Sequence, residues 1–231
     1  MGDAHTVRVL STLALMGAVR SLAGRYEAES GGRIDADFAP TLALLDRLRG
    51  GEQADIVILT KQALDDMAAQ GSVVAESCVD LARSYVGAAV KAGAPHPDIA
   101  SPAALRATLL GARSVTYSRL GASGIFFAGL IGRMGIASEI NAKACIIPQG
   151  FTAERLVTGE ADLAIQQISE LKLVPGVEIV GPIPLEMQKT PAVFSAGRLA
   201  ASAKAAQADE LLRFLTSAEA APALRESGLE P

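Results

Sequence analysis

The sequence predicts an α/β fold of two similar lobes, each with a mainly parallel sheet flanked by helices, joined by a two-strand hinge. Three observations lead there. β-prone runs alternate with helical stretches, the alternation recurs in one register, and glycines punctuate the connections. The 231 residues are 50% hydrophobic and 20% charged, enough apolar surface for two cores of about 100 residues each and too much for a disordered chain.

In the first half, VRVLS (7–11) is β-prone and leads into a helical stretch with Leu15, Val19, Leu22 and Tyr26 on one face. Gly31-Gly32 closes that helix, because glycine accepts the left-handed conformation a helix end requires. RIDADF (33–38) reads as a strand, 40–51 as a short helix with a glycine stop, ADIVIL (54–59) as a buried strand and 61–70 as a helix ending at Gly71. The second half repeats this. SVTYS (114–118) reads as a strand and 121–135 as a helix, with Phe127, Leu130, Ile131 and Met134 on one face. NAKACII (141–147) reads as a strand, 150–159 as a short helix and ADLAIQ (161–166) as a strand. Val7 to Ser114, Ile34 to Asn141 and Asp55 to Asp162 are each separated by 107 residues, and a Gly-Glu pair leads into both ADI and ADL. Strand–helix–strand units of this length form right-handed crossovers on a parallel sheet.

Residues 84–105 hold a β-prone run, a Pro/Gly loop and a helix start at Ser101-Pro102. The segments 177–180, 181–184 and 187–197 read as extended. The tail carries a helix with Ala208, Leu211, Leu212 and Leu215 on one face, then a short helix led by Ser217. If the tail packs on the first lobe, the chain crosses near 80–85 and again near 187–195. The expected lobes are 1–83 with 190–231, and 84–189. Two crossings make a hinge, and a hinge makes a cleft that closes on a ligand.

Composition narrows the chemistry. A formal net charge of −4, 4% aromatic residues and no tryptophan speak against a nucleic-acid surface. No apolar run is long enough to span a bilayer, so membrane insertion is not expected. Cys78 and Cys145 lack metal-ligand spacing; one bridge or two free thiols are both compatible with the sequence, the thiols being the plainer reading. His5 and His96 sit near the start and in a Pro-flanked loop, placed for neither a metal nor a Ser-His-Asp triad. No metal, cofactor or catalytic set is therefore expected. MGDAHTVRVL has no secretory pattern, which leaves a cytoplasmic protein or one whose leader was removed.

Ligands of open parallel sheets bind beyond the strands' carboxyl ends, beside helix N-termini. Five loops qualify: Ser11-Thr12, Pro40-Thr41, Thr60, the SRLGASG run, and Pro148-Gln149-Gly150. Each puts hydroxyls, glycine or free N–H groups where a helix begins, an arrangement suited to an anion, although the same residues commonly cap helices with no ligand present. Arg119 offers a guanidinium to a carboxylate, and Tyr117 a hydroxyl unless the core claims it. Gln166 and Gln167 are adjacent on a strand, so only one of them faces the site.

VRVLST with its long helix, ADIVIL, SRLGASGIFFAGLIGRMGI and GEADLAIQQISE together resemble the molybdate-binding family of periplasmic solute-binding proteins over essentially the whole chain. The resemblance implies the type II periplasmic-binding-protein fold with a ligand between two lobes. By matching position, the family's hydroxyl contacts fall on Ser11 and Thr12 and on Pro40-Thr41. Its second-lobe contact falls within Leu120 to Gly124, including Ala122 and Ser123. Its later contacts fall on Gln149, Gly150 and Phe151, and its tyrosine on Gln166-Gln167. Here the tyrosine has become glutamine, a serine has become Pro-Thr, and Leu13, Leu42, Leu120 and Phe151 bring apolar bulk. That bulk suits an organic acid better than a bare oxyanion.

The leading expectation is a monomeric solute-binding protein that captures a small carboxylate for an ABC-type permease. The alternative is an isomerase of a small carboxylic acid on the same scaffold, similar to aconitate isomerase, with Tyr117, Lys61, Glu170 or Lys189 as the available base. A regulatory sensor would carry a basic DNA-binding helix, and none is legible.

Overall fold

A computed structural model describes residues 5–231. In chain order the elements are β1 (Thr6–Ser11), α1 (Met16–Ser30), β2 (Arg33–Phe38), α2 (Thr41–Arg49), β3 (Ile56–Thr60), α3 (Lys61–Ala69), β4 (Val79–Ser84) and β5 (Val86–Lys91). They continue with α4 (Pro102–Gly111), β6 (Val115–Ser118), α5 (Ala122–Arg133), α6 (Ala137–Asn141), β7 (Cys145–Ile147), α7 (Glu154–Val157), β8 (Leu163–Gln167) and α8 (Ile168–Leu171). The last are β9 (Val177–Pro182), β10 (Ala192–Arg198), α9 (Ala205–Leu215) and α10 (Ala221–Glu226).

The chain divides into two compact units. Unit 1 comprises the chain up to Arg83 with Ala192–Pro231, and unit 2 comprises Ser84–Pro191. Each holds one five-stranded sheet: β2-β1-β3-β10-β4 in unit 1 and β7-β6-β8-β5-β9 in unit 2. In unit 1 β1 runs parallel to β2 and β3, and β10 lies antiparallel to β3. In unit 2 β6 runs parallel to β7 and β8, while β5 lies antiparallel to both β8 and β9. The sheets are mixed rather than mainly parallel. The parallel strands are joined by helices as crossover geometry requires, and the antiparallel ones come from the chain segments flanking the passage between units.

The 107-residue register holds for the first and third strands, in chain order, of each parallel triplet. Ser11 and Ser118 end β1 and β6, and Thr60 and Gln167 end β3 and β8. It fails for the middle pair, because α6 occupies 137–141 and β7 begins only at Cys145. Ile136 and Ile140, one helical turn apart, are both fully buried and hold that segment as helix, overriding the expected strand at 141. VDLARS (79–84), absent from the expected elements, forms the edge strand β4.

Unit 1 is built on Val7, Val9, Ile56, Ile58 and Phe194, packed against the Leu15–Val19–Leu22–Tyr26 face of α1 and the Ala208–Leu211–Leu212–Leu215 face of α9. Unit 2 centres on Val115, Leu163 and Ile165 against Phe127, Leu130 and Ile131 of α5. α1 closes at Gly31, where φ is 72° and the N–H donates to Glu27 O at 2.9 Å. Gln188 is buried rather than on the surface. Its amide accepts from Val86 N at 3.0 Å and donates to Ile183 O at 2.6 Å, tying the end of unit 2 to the start of β5. α4 opens at Ser101, whose hydroxyl accepts from Ala104 N at 3.2 Å, with Pro102 at the first helical position. Ser101→Ala is expected to destabilise unit 2 by about 1 kcal/mol, read as a lowered midpoint in urea; an unchanged midpoint would show the cap to be idle.

Candidate functional site

In unit 1 the loops at the carboxyl ends of β1, β2 and β3 are bonded to one another. Thr12 N donates to Ile58 O at 3.0 Å, Ala39 N to Ser11 O at 3.1 Å, and Thr60 N reaches Thr41 Oγ1 at 3.5 Å. Ser11 Oγ donates to Thr12 O at 3.1 Å. Pro40 opens α2 and Thr60 opens α3, in both cases without a side-chain cap bond. Thr12 precedes the short 3-10 turn Leu13–Leu15 and also gives no cap bond; its Oγ1 is buried with no partner among the described residues. A buried hydroxyl without a partner carries a desolvation cost.

In unit 2 Ser118 ends β6, and its Oγ is one of five buried hydroxyls without a partner among the described residues. The chain then turns through Arg119 and Leu120, whose N–H groups donate to Ile147 O and Pro148 O at 2.8 and 3.1 Å. α5 starts at Ala122 behind Gly121, uncapped, with Ser123 and Gly124 buried on its first turn. Gly124 packs so closely on the end of β6 that a Cβ there would lie 1.6 Å from Ser118 O. The Arg119 side chain is exposed. Tyr117 points to the face opposite Ser118, as strand alternation demands. Its ring meets Phe127 edge-on at 5.1 Å and its hydroxyl donates to Asn141 Oδ1 at 2.7 Å, which engages it in the core.

The loop after β7, Pro148 to Thr152, is clamped by Gln166. Gln166 Oε1 accepts from Thr152 N at 2.8 Å and from Thr152 Oγ1 at 2.9 Å, and its Nε2 donates to Gly150 O at 2.8 Å. Gly150 sits at φ 102°, which only glycine adopts without strain. Gln149 is exposed and Phe151 half-buried on this loop. The neighbouring Gln167 has a buried, unpartnered Oε1. The two glutamines therefore differ: Gln166 holds the loop, and Gln167 carries the vacant acceptor.

Glu170 follows on the first turn of α8. It is buried, 9% exposed, and that desolvation pushes its pKa up to about 8, with hydrogen bonding from the Gln166 side chain and the Gln167 main chain offsetting only part of the effect. Because the folded state keeps this proton, its contribution to stability is complete below the ordinary carboxylate pKa and is lost progressively as pH rises to about 8. Ser84 Oγ and Ser169 Oγ, also buried and unpartnered, flank the same junction, where Val86 pairs with Gln167 and Ile168 N donates to Tyr85 O at 2.9 Å. Sequence reading missed Ser84, Thr152 and Ser169, since a lone hydroxyl on an apolar strand or short helix has no signature until its neighbours are known.

No group of three His, Cys, Asp or Glu among the described residues is arranged to hold a metal ion. Cys78 and Cys145 are both free thiols. Among the described residues no helix is long and apolar enough to cross a membrane.

Two units, each a five-stranded mixed sheet flanked by helices, define the fold of the type II periplasmic binding proteins. The chain belongs to the family described as bacterial extracellular solute-binding protein, which it matches over residues 7–230. It is 40% identical over 232 residues to a protein from Pseudomonas sp named aconitate isomerase, covering 98% of this chain and 88% of that one. Among solved structures it is similar to the periplasmic molybdate-binding protein of Azotobacter vinelandii, with a TM-score of 0.82 at 15% identity over 97% of this chain and 99% of that one. It is also similar to the sulfate-binding protein SubI of Mycobacterium tuberculosis H37Rv, with a TM-score of 0.77 at 15% identity over 98% and 86% of the two chains.

Proposed function

We propose that this protein captures a small organic carboxylate through the strand-end loops of its units. The observation that carries the reading is that two of the buried, unpartnered hydroxyls, Thr12 Oγ1 and Ser118 Oγ, each precede an uncapped helical turn at a strand end. Such groups donate to an anion together with free main-chain N–H groups. Leu42, on the first turn of α2, and Leu120, on the Ser118 loop, are 44% and 37% exposed and give an organic acid apolar surface that a bare oxyanion would leave uncovered. As a binding protein, it hands this anion to an ABC-type permease.

A second reading is favoured by the 40% identity to the protein named aconitate isomerase and by Glu170, a protonatable group in unit 2. On it, the bound acid undergoes a shift of its double bond, a proton leaving one carbon and returning to another.

A thermal-shift panel of molybdate, sulfate, and di- and tricarboxylates tests the ligand. A tricarboxylate such as trans-aconitate is expected to raise the melting temperature by several degrees at about a hundred times its Kd, and Thr12→Val and Ser118→Ala to reduce that shift. Stabilisation by molybdate or sulfate alone overturns the carboxylate reading. Proton NMR of the same mixtures separates the two roles, since a new isomer means a catalyst and an unchanged ligand means a carrier.

A further inference from the structure

We propose that unit 2 carries a second binding site, a cavity for a small amphiphilic acid at the end of its sheet opposite the strand-end loops. The cavity measures about 580 Å³, within the range of small-molecule sites. Its floor is Val90, Leu156, Ala161 and Leu163, all buried. Val90 and Leu163 belong to the main core of unit 2, and Leu156 and Ala161 to a separate apolar cluster. The cavity opens at the seam between the two, where Ala94, Gly111, Ala112 and Gly159 supply too little side chain to close it. Its place separates it from the candidate site. Lys91 ends β5, Arg113 precedes β6, and Leu163 begins β8. Gln167 closes that last strand about 13 Å further on, at the usual rise per residue.

The charge at the mouth selects the occupant. Among the described residues that line the cavity, Lys91 and Arg113 are cationic and Asp162 alone is acidic, which leaves a net positive charge. Lys91 Nζ donates to Val157 O at 3.3 Å, and Arg113 Nη2 donates to Asp162 Oδ1 at 2.7 Å and to Gly159 O at 3.1 Å. All three acceptors lie between the end of α7 and the start of β8, so both cations reach the same side of the cavity. An ammonium has three donors and a guanidinium five, so each has more N–H groups than these bonds use. The apolar floor calls for a hydrocarbon body and the mouth for a single acid group. A small polyacid of the kind proposed for the strand-end loops has no such body, and its extra charges would lose water against the floor without compensation.

Octanoate is the probe, titrated into isotopically labelled protein and followed by amide NMR. Saturable shifts are expected in the segments 90–97, 108–113 and 156–163, and excess trans-aconitate is expected not to displace the probe. Gly111→Leu fills the cavity. Gly111 is the last residue of α4 and a Cβ there meets nothing within 4 Å, so the variant is expected to fold. It is expected to bind octanoate at least about tenfold more weakly, because each methylene kept out of the cavity forfeits its hydrophobic gain. Lys91→Gln is expected to weaken octanoate by about threefold, the scale of an exposed ion pair, and to leave binding of the uncharged octanol unchanged. The shift map and the lysine arm stand if the leucine variant fails to fold. Absence of saturable shifts, shifts centred on the 118–124 and 148–152 loops, displacement by trans-aconitate, undiminished binding by folded Gly111→Leu, or equal losses for octanoate and octanol overturns the inference. Each of these outcomes leaves the carboxylate reading of the strand-end loops to its own thermal-shift panel.

Discussion

Gly124→Ala is expected to destabilise unit 2 by roughly 3 kcal/mol or more, seen as a large drop in the urea midpoint or as loss of soluble protein. The new Cβ would lie 1.6 Å from Ser118 O and 2.6 Å from Ser118 C, and both are main-chain atoms at the end of β6 that cannot rotate away. Relief requires α5 to move off the strand it packs on. That in turn displaces Ser118 Oγ, so whatever folded protein remains is expected to bind ligand poorly. Gly132→Ala on the same helix is the control. A Cβ there meets nothing within 4 Å, and replacing a helical glycine is expected to stabilise by about 0.5–1 kcal/mol. Equal effects at the two positions would show that the Gly124 contact is not what fixes α5.

Gln166→Leu and Gln167→Leu are expected to diverge sharply. The first leaves Thr152 N, Thr152 Oγ1 and Gly150 O without their partner. At about 1–3 kcal/mol for each buried polar group orphaned, a net loss of about 3–5 kcal/mol follows after partial relaxation. With the 148–152 loop released, ligand affinity is expected to fall as well. The second removes an Oε1 that has no partner among the described residues. Its cost to folding is expected to stay within about 1 kcal/mol. Scanning calorimetry and titration on the same pair of variants check both halves. Matching stability losses would contradict the division of labour between the two side chains.

Much of this was legible in the residues because one physical signal dominated. The Leu15–Val19–Leu22–Tyr26 spacing marked the buried face of α1, and ADIVIL and ADLAIQ marked β3 and β8, since burial on both faces leaves a strand few polar positions. Ser11 and Ser118 stood out through the repeat, and each ends the strand expected of it. Other features needed tertiary context. The 137–147 stretch mixes a turn of helix with a short strand, and local pattern does not divide them. Gln188 resembles any surface glutamine until Val86 and Ile183 lie against it. The roles of Gln166 and Glu170 are likewise relational: each depends on a loop or strand arriving from elsewhere in the chain.

The strand order of unit 1 also bears on how the chain comes to be folded. β10 lies between β3 and β4, yet it is made after the whole of unit 2. During synthesis, β3 therefore keeps an open edge until residue 198 has emerged, whereas the contiguous residues 84–191 already hold every strand of their own sheet. The later-numbered unit is the one equipped to fold first. The earlier one waits with its apolar β3, Ile56–Thr60, exposed as a pairing template, which makes it the part of the nascent protein that most needs a chaperone's protection.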